Sequence, residues 1–152
     1  MKLLLDTTYL LPAIGITIKN LPKNMLIELM RKDNQIFISE ISIFELSAKG
    51  AKYIIEGNLL IDRVIKGIKA ITYNEAITKI SVHEATVLLK AFKLRKFLDD
   101  FIDCLILSSA LNFCDVLITE DIEIHNLTKN KEFNKLLASI NPKFKIQKTP
   151  EI

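Results

Sequence analysis

The sequence is poor in the residues that mark several common classes of protein. It has 152 residues, only four glycines and no G-x-x-x-x-G-K pattern, which excludes a phosphate-binding loop of that type. Its two cysteines, Cys104 and Cys114, fall in one predicted helix, too far apart for a disulfide and wrongly spaced for zinc. The two histidines, His83 and His125, form no H-x-x-x-H spacing, so neither predicts a metal site.

Long apolar runs and targeting segments are also missing. The best candidate for a membrane span, residues 9–18, is short and is interrupted by Pro12 and Gly15. A secretory signal is not expected, because Asp6 interrupts the apolar residues 3–5 almost at once. We therefore expect a cytoplasmic protein with no membrane segment, in which both thiols stay reduced.

What the sequence does contain is typical of a folded domain. Hydrophobic residues make up 49% and the mean hydropathy is +0.26, so residues 1–152 are expected to form a single domain with a substantial core. The net charge of +3 permits a polyanionic partner without requiring one. Aromatic residues are only 7% and tryptophan is absent, so no platform for stacking nucleic-acid bases is evident.

Short apolar runs alternate with helical patterns along the chain. This alternation predicts a three-layer α/β/α sandwich around a mostly parallel sheet of four to five strands. We expect the helix that follows the second strand to stop at Gly50, and a long helix to begin after Asn74. The strands are predicted at residues 2–5, 36–38, 70–73, 116–119 and 144–147.

One carboxylate lies on the apolar side of a predicted helix at residues 100–114. On a helical wheel Asp103 falls opposite the polar residues of that helix and shares its side with apolar ones. An ionised carboxylate on a packing face costs on the order of several kcal/mol unless a partner compensates for it. Asp103 therefore requires a cation, a basic residue or a set of amide donors. The polar side is formed by Ser108, Ser109 and Asn112.

Three other acids are expected to lie near Asp103. Asp6 ends the first predicted strand, Asp121 follows the fourth, and Glu45 lies in the helix after the second. The carboxyl ends of parallel strands share one edge of the sheet, where ligands bind. The opening turn of the helix that carries Asp103 reaches the same edge. The sequence thus predicts four carboxylates in one crevice.

Such a cluster needs a source of positive charge. At 4 Å and an effective dielectric near 20, each pair of carboxylates repels by roughly 4 kcal/mol. No basic residue lies within a turn of Asp6, Asp103 or Asp121 in the sequence. Oxygen ligands suit Mg²⁺ or Mn²⁺, ions that activate water and stabilise phosphodiester displacement.

Four segments, in order and spacing, resemble the motifs of PIN-domain nucleases, and most closely those of VapC-type toxin ribonucleases. They are LLLDTTYLL, SEISIFEL, DCLILSSAL and DVLITEDIEI, at residues 3–11, 39–46, 103–111 and 115–124. The resemblance implies that Asp6, Glu45, Asp103 and Asp121 bind Mg²⁺ or Mn²⁺, and that Thr8 stands beside the site. It further implies hydrolysis of RNA, a homodimer, and neutralisation by a small cognate antitoxin.

Several alternatives stay open at this point. Glu120 competes with Asp121 for the metal, Thr119 is a further accessory residue, and Asp99 either joins the site or caps its helix. Taken singly, Asp6 could cap a helix, Glu45 could pair with Lys49, and Asp121 could be a turn residue. The functional prediction is a metal-dependent endoribonuclease. The alternative is a catalytically inactive PIN-like module that binds RNA or a partner protein.

Overall fold

The chain forms a five-stranded sheet in a computed structural model that describes residues 1–149. The strand order is β3-β2-β1-β4-β5, and all four pairings are parallel. This confirms the predicted α/β class and its parallel sheet. The strands are β1 (Lys2–Leu5), β2 (Gln35–Ser39), β3 (Ile77–Ile80), β4 (Val116–Ile118) and β5 (Lys145–Gln147).

Helices cover both faces of this sheet. Short 3-10 helices occur at Thr7–Ile14 and Leu127–Lys129. Within residues 1–149, none of the helices has the length and apolar character needed to cross a membrane. The α-helices are α1 (Met25–Arg31), α2 (Glu40–Ile55), α3 (Ile61–Thr72), α4 (Ala85–Leu94), α5 (Phe101–Phe113), α6 (Ile122–Asn126) and α7 (Lys131–Ile140).

The central strand β1 faces a hydrophobic core on each side of the sheet. Because side chains alternate along a strand, Leu3 and Leu5 join the core under α1, α2 and α3, whereas Leu4 joins the core under α4, α5 and α7. All three leucines are completely buried. A continuous apolar run is what a parallel strand covered on both faces requires.

Helix α5 is buried on almost every side, including the polar side predicted from the helical wheel. The Ser108 hydroxyl donates to the carbonyl of Val87 at 2.6 Å, and the Asn112 amide donates to the carbonyl of Thr86 at 3.3 Å. These polar groups therefore attach α5 to α4 instead of facing water. The opposite side of α5 carries Asp103 at its first turn.

The sheet reverses its winding direction between β1 and β4. From β1 the chain moves outward to β2 and β3, then returns to the other side of β1 to form β4 and β5. Crevices for ligands form at such a reversal, outside the carboxyl ends of the strands. The residues after β1 and β4, Asp6 and Thr119, meet at this point.

The prediction that a helix stops at Gly50 is wrong, because α2 continues to Ile55. A Cβ atom at Gly50 would lie 2.6 Å from Cγ1 of Val64, so the glycine allows α2 and α3 to pack closely. The chain turns instead at Gly57, whose φ of +78° is a left-handed conformation that glycine adopts readily. Gly50 thus allows close packing of the two helices, and Gly57 allows the turn between them.

The third strand was also predicted in the wrong place. Residues 70–73 belong to the last turn of α3 and its end, and the strand is Ile77–Ile80. Asn74 begins no helix, since its side chain accepts from the amide of Ala76 in a tight turn. Ile77 and Ile80 are three residues apart, a spacing that fits a helical face as well as a short edge strand.

Candidate functional site

A cleft of about 350 Å³ lies at the carboxyl edge of the sheet. It gathers side chains from segments that are far apart in the sequence, including all four acids predicted to converge there. The ends of β1 and β4, the first half of α2 and the beginning of α5 contribute its walls. The lining residues are Asp6, Thr7, Thr8, Glu45, Lys49, Asp100, Asp103, Glu120 and Asp121.

Asp6 is the most deeply buried of these acids, with 8% of its surface exposed. One carboxylate oxygen accepts from the amide of Thr7 at 2.7 Å, and the other accepts from the hydroxyl of Thr119 at 2.7 Å. Burial raises the pKa of Asp6 above its usual value, and the charges of Glu45 and Asp121 add to the effect. The two hydrogen bonds act in the opposite direction and fix the orientation of the carboxylate.

Glu45 is oriented by a neighbouring hydroxyl. The Thr7 side chain donates a short hydrogen bond to its carboxylate, so one threonine supports both Asp6 and Glu45. The alternative ion pair with Lys49 is not formed among residues 1–149, although Lys49 lies one helical turn farther along α2 and also lines the cleft.

Asp103 lies half-buried on the first turn of α5 with no compensating group. Within residues 1–149, no hydrogen bond or ion pair reaches its side chain. Burial is the main cause that raises its pKa to about 7, and the carboxylates of Asp100, Asp121, Asp6 and Glu45 contribute in that order. Burial and the neighbouring negative charges therefore both disfavour its charged form.

Asp121 and Glu120 both line the cleft but differ in their bonding. One oxygen of Asp121 caps α6 by accepting from the amide of Ile124 at 2.9 Å. Both oxygens of Glu120 are engaged, one by the hydroxyl of Tyr9 at 2.6 Å and the other by the ammonium of Lys148 at 3.5 Å. Asp121 thus retains an oxygen for a ligand, whereas Glu120 would have to release a partner.

The predicted accessory residues separate into two groups. Thr8 lines the cleft, and Thr119 lies buried behind it, where its hydroxyl also accepts from the amide of Asp121 at 3.0 Å. Asp99 does not line the cleft; it is exposed and pairs with Arg95 at 3.4 Å. The residue that caps α5 is Asp100, which accepts from the amide of Ile102 at 2.8 Å.

Three residues that line the cleft were not predicted from the sequence as site residues. Thr7 follows Asp6 directly, and Lys49 lies four residues after Glu45 on the same helical face, a spacing that could have identified it. Asp100 caps α5 and also borders the cleft. His125 supports the site from behind, since its Nε2 lies 2.8 Å from the carbonyl oxygen of Thr119.

The donor chemistry of the cleft fits a hard divalent cation. In the described part of the chain, six carboxylates line it, from Asp6, Glu45, Asp100, Asp103, Glu120 and Asp121, and the ammonium of Lys49 is its one basic lining group. Among residues 1–149, no three acidic, histidine or cysteine side chains stand as a ready-made cation-binding group. Mg²⁺ needs no such cage, because it keeps several waters and binds through one or two carboxylates.

Comparison with known proteins shows the fold. No protein-family model matches the sequence, and no curated protein matches it significantly. The structure is similar to that of a chain in the crystal structure of VapBC2 from Rickettsia felis, which is bound to a DNA fragment from the VapBC2 promoter. The TM-score is 0.61 at 20% identity, and the match covers 97% of this chain and 98% of that chain. The PIN-like α/β fold expected from the sequence motifs is thereby confirmed.

Proposed function

We propose that this protein is a metal-dependent endoribonuclease that hydrolyses RNA phosphodiester bonds, and that it is the toxin of a toxin–antitoxin pair in the cytoplasm. The observation that carries the proposal is the acidic cleft. Carboxylates from four separate segments converge at the point where the sheet reverses its winding, and no buried arginine or lysine neutralises them among the described residues. A structural role alone leaves this accumulation of negative charge without a reason.

Asp6, Glu45, Asp103 and Asp121 are the proposed ligands of Mg²⁺ or Mn²⁺. Bound there, the cation would lower the pKa of a water molecule and stabilise the charge that develops on a phosphodiester during hydrolysis. Glu45 and Asp6 are held in place by threonine hydroxyls. Such support behind the ligands is the usual way in which a protein fixes the orientation of metal-binding carboxylates.

Other residues of the cleft have roles that follow from their chemistry. Asp103, whose pKa is raised to about 7 in the cation-free protein, would have to give up its proton for the cation to bind. Lys49 offers a positive charge to a phosphate group of the substrate. Thr8 lines the cleft with a hydroxyl that can hydrogen-bond to the substrate.

A small antitoxin and a second copy of this chain are the proposed protein partners. Large apolar side chains stand exposed along the end of α2 and the start of α3, among them Ile55 at 89%, Leu60 at 78% and Ile61 at 59%. Exposed apolar clusters of this kind mark protein-binding surfaces. The similar fold of a VapBC2 chain supports an antitoxin as a partner.

The test of the proposed activity is cleavage of single-stranded RNA by purified protein in Mg²⁺ or Mn²⁺. We expect EDTA to abolish cleavage and Asp103→Asn to slow it on the order of 100-fold or more. Asp99→Asn is the matched control, because Asp99 is an aspartate four residues earlier that is exposed and outside the cleft. We expect this control to cleave at the wild-type rate.

Two results would count against the proposal. Equal cleavage by the wild type and Asp103→Asn would indicate a contaminating nuclease or a different site. Binding of RNA without cleavage in either cation would favour the alternative function, a catalytically inactive module that binds RNA.

A further inference from the structure

Two phenylalanine rings stack on each other at the protein surface. Phe92 of α4 and Phe101 at the start of α5 have ring centroids 5.7 Å apart and planes inclined by only 8°. Their side chains stay 63% and 36% exposed, respectively. No aromatic platform was predicted from the sequence, because the two residues are nine positions apart and meet only when α4 packs against α5.

A shallow groove of about 290 Å³ beside these rings combines aromatic and basic groups. Lys96 lies 5.0 Å from the ring centroid of Phe97 and forms an ion pair with Glu132 at 3.2 Å. Lys93 also lines the groove and has no ion-pair partner among residues 1–149. The remaining lining residues are Phe92 and Leu136.

This surface adjoins the acidic cleft at the N-terminus of α5, where Phe101 directly follows Asp100. Phe101 lies between Asp100 and Asp103 in the first turn of α5, and both of these acids line the cleft. Phe101 and Asp103 are two residues apart and therefore project from different sides of α5, so the rings approach the cleft through Asp100.

We propose that the Phe92–Phe101 pair, together with Lys93 and Lys96, binds single-stranded RNA beside the cleft. An unpaired base stacks on the exposed ring of Phe92, and the lysines contact the backbone phosphates. Aromatic faces accept any base, and neighbouring ammonium groups attract phosphates. The inference deepens the proposed function, on which the choice of RNA as the substrate rests.

The lysines favour RNA over a second copy of this chain as the occupant. The buried centres of protein–protein interfaces are depleted in lysine, yet here two lysines border the exposed rings. Burying Lys93 against a protein surface would require a new acidic partner. A phosphate backbone supplies the negative charge along its whole length.

The experiment measures the binding of a fluorescein-labelled single-stranded oligouridylate by anisotropy, in EDTA so that no cleavage occurs. We expect Phe92→Leu, which keeps an apolar side chain but removes the ring, to weaken the Kd about 5- to 150-fold. Phe92→Trp should bind at least as tightly as the wild type. An oligonucleotide that contains 2-aminopurine should lose fluorescence on binding the wild type but not on binding Phe92→Leu, because stacking quenches this base.

Phe113→Leu provides the control. Phe113 is 39% exposed, close to the value for Phe101, and ends the same helix, roughly 18 Å away along its axis. Equal Kd values for the wild type, Phe92→Leu and Phe113→Leu would overturn the inference. The inference would also be overturned if Phe92→Leu converted a dimer to a monomer while the Kd for RNA stayed unchanged. The surface would then be one that joins two copies of the chain.

The cleavage assay separates this inference from the proposed activity. In Mn²⁺ we expect Phe92→Leu to raise KM by about the same factor as the Kd for RNA, with kcat little changed. This is the result expected when a contact is lost that binds the substrate and the transition state equally well. Ring-dependent RNA binding by a protein that never cleaves RNA would support the platform and reject the nuclease. Cleavage with identical KM in both proteins would support the nuclease and reject the platform.

Discussion

Asp6 and Asp103 line the same cleft, yet the chain surrounds their carboxylates in opposite ways. Asp6 is 8% exposed and receives one hydrogen bond on each oxygen, from the Thr7 amide and the Thr119 hydroxyl. Asp103 is less buried and receives no hydrogen bond among residues 1–149. The pKa of both is raised chiefly by burial, but only at Asp6 do hydrogen bonds oppose that rise.

The difference indicates which acid is structural in the absence of a ligand. Asp6 accepts from the hydroxyl of Thr119 and so links the end of β1 to the end of β4, in addition to lining the site. Asp103 contributes repulsion instead, because four other carboxylates raise its pKa and no donor lowers it. A divalent cation would remove that repulsion, so stabilisation of the folded protein by the cation should depend strongly on Asp103.

The largest expected effect is stabilisation of the wild type by Mg²⁺ or Mn²⁺. A ligand that binds only the folded state stabilises it by about 2.7 kcal/mol at a concentration 100 times its Kd. We expect Asp103→Asn to lose most of this gain, measured as the shift in Tm on titration with each cation. Asp99→Asn, outside the cleft, should keep it. An equal shift in Asp103→Asn would show that the cation binds elsewhere.

A smaller effect of opposite sign, a loss of stability, is expected when Asp6 is substituted in cation-free protein. Asp6→Ala leaves the Thr7 amide and the Thr119 hydroxyl without their acceptor, at a cost of about 1 to 3 kcal/mol in the free energy of unfolding. Urea unfolding in EDTA measures this loss. In a double-mutant cycle with Thr119→Val, the two changes should couple by about 0.5 kcal/mol or more. A more stable Asp6→Ala would mean that Asp6 resembles Asp103 after all.

The convergence of the acids could be predicted because it depends on local patterns. An apolar run of a few residues predicts a strand, and an acid directly after it lies at the edge where parallel strands end. Asp6 and Asp121 follow from this rule, and Asp103 from its position on the helical wheel. The third strand was misplaced, but it lies at the edge of the sheet and carries none of these acids.

The supporting contacts could not be predicted, since they join residues that are remote in sequence. Thr119 and Asp6 are separated by 113 positions, and Thr7 and Glu45 by 38. A threonine after a strand has many structural uses, and only the register of β1 against β4 brings this hydroxyl to Asp6. The Phe92–Phe101 pair likewise depends on how α4 packs against α5, which no local periodicity specifies.

The smallest expected effect is a dependence of stability on pH that belongs to Asp103. Its pKa is 3.8 in the unfolded chain and about 7 in the folded protein without a cation. Between these values the folded state binds more protons, so the contribution of Asp103 to stability falls as pH rises and is lowest above pH 7. We expect Asp103→Asn to match the wild type near pH 4 in EDTA and to exceed it at pH 8. Because the side chain is only half-buried, the gain should be about 0.5 to 1 kcal/mol.

Urea unfolding of the wild type and Asp103→Asn across this pH range, in EDTA, isolates the contribution of Asp103. Taking the difference between the two proteins cancels the pH dependence of groups that do not interact with Asp103. Asp99→Asn should show no such pH-dependent difference, because Asp99 is exposed and lies outside the cleft. If Asp103→Asn instead became less stable than the wild type as pH rises, hydrogen-bond donors would be stabilising the charged form of Asp103. The contrast between the two acids would then fail.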